Sequence, residues 1–266
     1  MTDKPSPRGQ EWLRQRQRSR RRVRLWQAGL LAALLGLWQL TTAVGLSDGF
    51  LISSPSRMFR CMLSMAADGS LYGHLSITLL ETIVSFLLVI GFTLLITILL
   101  WISPSVSKTV EPYLVVLNSL PKSALAPLLI VWLGGNYKTI IVTGMSVAIF
   151  GSILSLYTDF MEVSSEKLKL IETLGGTRKD ILCKILIPAN IPSLLSIMKV
   201  DIGLCLVGVI IGEFIASRKG LGFLIIYGSQ VFKLDWVLMS IIILCLIAIG
   251  LYVLIHGVEK WYVKRL

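Results

Sequence analysis

The stretch Ser164 to Pro192, SSEKLKLIETLGGTRKDILCKILIPANIP, decides how the chain is read. It is the longest polar interruption between two runs that are apolar enough to cross a bilayer. Leu168, Ile171 and Leu174 recur in it at helical spacing, and Ile181, Leu182, Ile185 and Leu186 follow. Gly175 and Gly176 separate the two groups, since glycine weakens a helix interior and permits a sharp turn. Thr177 stands three residues before Asp180, an N-cap with an acid in the first turn. Pro188 is expected to end the second group, because its ring steers Ile187 away from the helical region. The spacing predicts two short amphipathic helices joined at a glycine corner on the membrane surface.

Outward from this stretch the chain is dominated by apolar runs. Of its 266 residues 55% are hydrophobic, and a helix needs about 20 apolar residues to cross a hydrocarbon core of roughly 30 Å. The runs predict an all-α polytopic membrane protein with about six transmembrane helices, at about 25–46, 77–102, 111–133, 139–157, 193–215 and 236–255. Residues 1–24 form an Arg-rich arm, 160–190 a loop that carries the glycine corner, and 258–266 a tail. The first run exceeds the roughly 7–15 apolar residues of a signal peptide and is expected to stay as a span. Pro121 and Pro127 break the third, and freed backbone groups at membrane depth need neighbours or a cavity. The glycine-rich segment between the last two runs, around Gly220 and Gly222, predicts an interfacial or re-entrant piece rather than a seventh span.

The net charge of +11 is concentrated in the arm, which holds Lys4 and eight arginines from Arg8 to Arg24. A basic run before a span is what the positive-inside rule places in the cytoplasm, so topology is preferred over nucleic-acid binding, for which no partner is expected. An inner N-terminus also puts Lys108, the five cations of the glycine-cornered loop and those of the tail inside. Only Arg57, Arg60, Lys138, Arg218, Lys219 and Lys233 are left outside. Cys61, Cys183, Cys205 and Cys245 lack C-x-x-C spacing, and His74 and His256 lie far apart, so no metal cluster is expected. No Walker A pattern is present, and no catalytic group of acids, histidine and nucleophile stands out.

The loop also resembles a family. Gly175, nine residues, Ile185, two residues and Pro188 resemble the G-x(9)-I-x-L-P half of the EAA loop of ATP-binding-cassette importer permeases. Thr173-Leu174-Gly175-Gly176-Thr177 resembles the TLGAS version of the nitrate/sulfonate/taurine branch. Lys169, Leu170 and Ile171 replace the Glu-Ala-Ala half, and Ile187 replaces leucine. Further matches follow in order: Leu51 to Ser56 with LPSPS, His74 to Leu80 with H-L-x-x-T-L-L, and Leu120 to Leu128 with I-P-K-x-A-L-A-P-L. Gly212 to Ile215 and Gly220 to Ile225 are similar to G-E-F-I and G-L-G-Y-L-I. The resemblance implies a type I ABC importer permease fold (MetI-like) and a transport subunit rather than an enzyme. It implies a homodimer in a bacterial cell membrane, both termini cytoplasmic, with two ABC ATPase subunits inside and a solute-binding protein outside. ATP and Mg would be bound by the ATPase, and no cofactor by this chain. Glu172, Thr173, Leu174, Gly175, Gly176, Thr177, Asp180, Ile185 and Pro188 would form the ATPase-coupling surface. The substrate would be a small oxyanion, sulfonate or vitamin precursor. An ion-driven transporter and a membrane scaffold are the alternatives; the first calls for paired broken helices, and only one broken span is seen.

Ionisable groups at membrane depth are costly and usually paired or cavity-facing, which singles out Glu81, Lys122, Lys199, Asp201 and Glu213. Lys122 beside Pro121 either meets an anionic substrate or pairs with Glu81 or Glu213. Lys199 and Asp201 are expected to snorkel to the membrane edge. Asn118, Ser119 and Ser123 flank the broken helix as neutral hydrogen-bonding groups. The candidate substrate pathway is Asn118, Pro121, Lys122, Ser123 and Glu213.

Overall fold

The computed structural model describes residues 53–264, together with 23, 26, 29, 30, 33, 34 and 36–42. The Arg-rich arm and most of the first apolar run lie outside the described residues; the described positions from 23 to 42 are helical. The described chain is all-helical, without a strand. From residue 55 the elements are α1 (Pro55–Ala67), α2 (Ser70–Ile102), α3 (Pro104–Ser119), α4 (Lys122–Leu133) and α5 (Tyr137–Met161). They continue with α6 (Ser165–Thr173), α7 (Arg178–Ala216), α8 (Leu221–Gln230) and α9 (Leu234–Val263).

Four of these helices, α2, α5, α7 and α9, are long and apolar enough to cross a membrane. A fifth crossing is available if α3 and α4 count as one span bent by 100°. The third apolar run is therefore two helices rather than one irregular one. The break falls at Leu120, which takes an extended backbone because Pro121 follows it. Pro127 stands inside α4 without breaking it. Between the second and third apolar runs only Ser103 is extended, and Pro104 already begins α3.

The bundle is built around α5 and α7, whose closest approach is made by glycine. A Cβ on Gly208 would stand 2.8 Å from Gly144 Cα and 2.9 Å from the Thr143 carbonyl oxygen. One turn along, a Cβ on Gly212 would stand 3.1 Å from Ile140 Cα. Small residues of this kind let membrane helices touch backbone to backbone, where van der Waals packing replaces the hydrophobic drive. Core layers stack along the pair. Leu156, Phe160, Ile181 and Leu186 fill the end near the glycine corner, Phe86, Ala148, Ile202 and Cys205 the middle, and Leu206, Leu221, Leu224 and Met239 the far end. The segment expected to be interfacial or re-entrant contains α8, a short apolar helix seated in the far-end layer.

The 164–192 stretch departs from two separate short helices. α6 is separate, but the second helix runs on into α7 without a stop at Pro188. Ile187 is helical, with φ −60° and ψ −53°, and its N–H bonds to the Leu182 carbonyl, one residue further back than in an α-helix. This π turn over Leu182–Leu186 changes the register just where proline lacks a donor and its ring would crowd the preceding turn. The corner is thus joined rigidly to a span.

Candidate functional site

Two places carry the residues that the sequence singles out: the glycine corner, and the polar groups at membrane depth. At the corner α6 ends on the Leu174 N–H, bonded to the Leu170 carbonyl, and Gly176 N–H returns to the Ile171 carbonyl at 2.9 Å. Gly175 has φ +78°, a left-handed conformation that glycine adopts freely. Gly176 is required for space, because a Cβ there would collide with Ile171 Cγ2. Thr177 and Asp180 then form a capping box: the Thr177 hydroxyl accepts from Asp180 N–H, and the Asp180 carboxylate from Thr177 N–H at 2.9 Å. Lys184 pairs with Asp180 at 2.7 Å on the exposed surface, where such a pair contributes little.

The corner has an inward and an outward side. Leu168 and Ile171 pack with buried Ile181, Leu186 and Phe160, and so with the ends of α5 and α7. Leu170 and Leu174, at 59% and 75% exposure, face away with Glu172 and Thr173. Leu174 thereby leaves the apolar face that its spacing suggests. Ile185 is half-buried and Pro188 exposed on the π-turned segment. Sequence reasoning missed Arg178: its guanidinium donates to the Ile102 carbonyl at 3.2 Å, tying the corner to the end of α2. No spacing rule joins residues 76 positions apart.

The membrane-depth groups divide differently from the expectation. Lys122 pairs with neither Glu81 nor Glu213. Its ammonium donates to the Leu117 and Asn118 carbonyls, at 3.0 and 2.5 Å, which the bend leaves without helical donors. Asn118, Pro121 and Ser123 are exposed around that bend. Glu213 lies apart from them, wholly enclosed at the far end, where its carboxylate accepts from the Thr78 hydroxyl at 2.7 Å and Gly222 N–H at 2.5 Å. Thr78 accepts in turn from Leu221 N–H, and His74 Nδ1 from Gly220 N–H at 3.0 Å. These bonds hold the start of α8 against α2 and α7. Glu81 is also buried, and its Oε2 has no hydrogen-bond partner among the described residues.

Lys199 and Asp201 do not snorkel. Lys199 reaches α9 and pairs with Glu259 at 2.7 Å, where His256 also stands within 3.0 Å. Asp201 turns the other way into α5 and accepts from Ser152 Oγ at 2.6 Å, with only 3% of its surface exposed. Lys199→Met is expected to loosen α9 and lower the apparent melting temperature in detergent. A double-mutant cycle with Glu259→Gln checks it: the pair acts as a unit if the two effects fail to add.

Compared with known proteins, residues 88–266 match the family described as "Binding-protein-dependent transport system inner membrane component". A Haemophilus influenzae relative named "Probable ABC transporter permease protein" is 27% identical over 223 residues, covering 84% of this chain and 90% of the relative. The Escherichia coli taurine transport system permease protein TauC is 24% identical, covering 88% of each. Among solved structures, a chain of the MetNI methionine ABC transporter in an inward-facing conformation superposes with a TM-score of 0.60 at 19% identity. That likeness covers 73% of this chain and 94% of the other, and it gives the fold as MetI-like.

Proposed function

The chain belongs to the family of binding-protein-dependent transport system inner membrane components, and from that premise we propose how it works within an ABC importer. The glycine corner is the docking surface for a separate ATPase chain, which binds the ATP and Mg and performs the hydrolysis. Two copies of this chain enclose the path at a two-fold interface, each copy engaging one ATPase. A solute-binding protein delivers a small solute from outside, and the bacterial cell membrane is oriented with both termini and the corner cytoplasmic.

One observation carries this reading: the corner presents an exposed apolar edge on one side and is rigidly built into the bundle on the other. Leu170 and Leu174 stand free for a partner, while the buried cluster around Ile181 and Leu186 joins the same corner to α5 and α7. Arg178 adds α2 through the Ile102 carbonyl. A displacement of the corner by a moving ATPase therefore reaches three spans at once. Work at the corner biases one arrangement of the spans over another, as a ligand shifts a two-state equilibrium by its differential affinity.

Gly175→Asp tests it. A Cβ at Gly175 meets nothing within 4 Å, so there is room for the side chain, and aspartate bears the strain of the left-handed backbone better than most residues. The variant is expected to insert and purify normally yet lose its ATPase on co-purification. ATP-driven uptake should fall by about tenfold or more, the scale of a disrupted interface hot spot. Normal uptake and normal ATPase retention would remove the corner from the coupling role.

A further inference from the structure

Away from the corner, a cavity of about 210 Å³ opens beside the α3–α4 bend, between α5 and α7. Its polar lining is Asn118, Ser152, Ser155 and Asp201; the remaining walls are mainly apolar. It sits near mid-length of α5 and of the apolar part of α7. An acid at that depth calls for a partner or a cavity. Asp201 has both, incompletely: Ser152 donates to its Oδ1, while Oδ2 has no partner among the described residues. The nearby cations are engaged elsewhere, Lys199 with Glu259 and Lys122 with the Leu117 and Asn118 carbonyls. Gly151 keeps the space open, since a Cβ there would come within 3.3 Å of Asn118 Oδ1. A few convergent polar groups in an apolar cavity are the usual composition of a small-molecule site, and this volume, below the usual ligand range, suits a small solute.

We propose that this cavity is a binding site on the transport path for a solute group bearing N–H donors, an ammonium above all, with Asp201 Oδ2 and Asn118 Oδ1 as its acceptors. The inference rests on the permease reading and narrows it. The solute is an amine or a zwitterion, for example an aminosulfonate, and bare oxyanions are disfavoured because the one charged group lining the cavity is a carboxyl. Asp201 is more than a tie between α5 and α7, since such a tie uses only Oδ1.

The test uses the permease reconstituted with its ATPase, with Cys61, Cys183 and Cys245 replaced by serine and a reporter thiol introduced as Ser155→Cys. Its labelling by a cationic aminoethyl and an anionic sulfonatoethyl methanethiosulfonate is compared, each rate normalised to a free thiol in solution. The cationic reagent is expected to react about tenfold faster, the low end of focusing by a charged cleft. Asp201→Asn, which keeps the acceptor for Ser152, should remove most of that preference. Taurine should slow the labelling where ethanesulfonate, which lacks the amine, does not. If Asp201→Asn fails to assemble, Gly151→Val provides the second arm: it fills the cavity and should slow both reagents. An unlabelled thiol, a preference that persists without Asp201, or labelling that is not slowed with the cavity filled overturns the site. ATPase retention and ATP hydrolysis, measured on the same preparations, report on the permease reading separately. A complex that retains its ATPase but shows no charge preference refutes the site alone.

Discussion

Gly208→Leu is expected to prevent this permease from assembling its bundle. The space for a side chain does not exist: the first added carbon would lie 2.8 Å from Gly144 Cα and from Val147 Cγ2, and 2.9 Å from the Thr143 carbonyl oxygen. Two of these atoms are backbone, so relief requires α5 and α7 to separate rather than a side chain to turn. Overpacking in a core that can adjust costs roughly 1–3 kcal/mol; a site walled by backbone adjusts less. Separation also opens the middle layer at Ala148 and Cys205. The expected result is little or no monodisperse protein after detergent extraction. Gly203→Leu is the control, because a Cβ there meets nothing within 4 Å and should leave the yield unchanged.

The second large effect belongs to Gly220→Ala. Gly220 has φ +111°, and a Cβ there would stand only 2.3 Å from the Glu213 carboxyl carbon and Oε1. Glu213 cannot swing away, being wholly buried and held by Thr78 and Gly222. Displacing it leaves the Gly222 N–H unpaired in an apolar interior, at roughly 1–3 kcal/mol, and the Thr78 hydroxyl with only its longer bond to the His74 carbonyl to donate to. α8 should come away from α2, with loss of uptake and a markedly lower melting temperature. Glu213→Ala is destabilising because it too leaves the Gly222 N–H unpaired, but it vacates the space. The double variant Gly220→Ala/Glu213→Ala is therefore expected to be less damaged than the sum of the two. Additive effects would show that the clash is not what Gly220 avoids.

What the sequence made legible were the features with local rules. The glycine corner, the Thr177–Asp180 cap and the break at Pro121 depend on a few neighbouring residues and can be read from them. The continuity through Pro188 runs through a π turn whose flanking Ile181 and Leu186 lie in a buried cluster, a tertiary packing that no local rule supplies. Hydropathy places Asp201 at membrane depth without telling which way it faces. Two residues after Lys199, a helix turns the side chain to the other side, which separates the Glu259 pair from the Ser152 contact. A lysine at membrane depth suggests an anionic substrate or a distant acid as its partner, but the bend exposes carbonyls within its own reach. Only its charge at membrane depth groups Glu213 with the bend. Its partners Thr78 and Gly222 come from two other elements, and no spacing in the sequence joins them.

The most direct test of the central claim is ATP hydrolysis by this chain reconstituted in lipid with a candidate ABC ATPase and solute-binding protein. Oxyanions, sulfonates, aminosulfonates and pyrimidines are added one at a time. The account predicts stable association with the ATPase, and hydrolysis that rises with one solute only when the binding protein is present. Absence of any ATPase association would contradict it and return an ion-driven mechanism to first place.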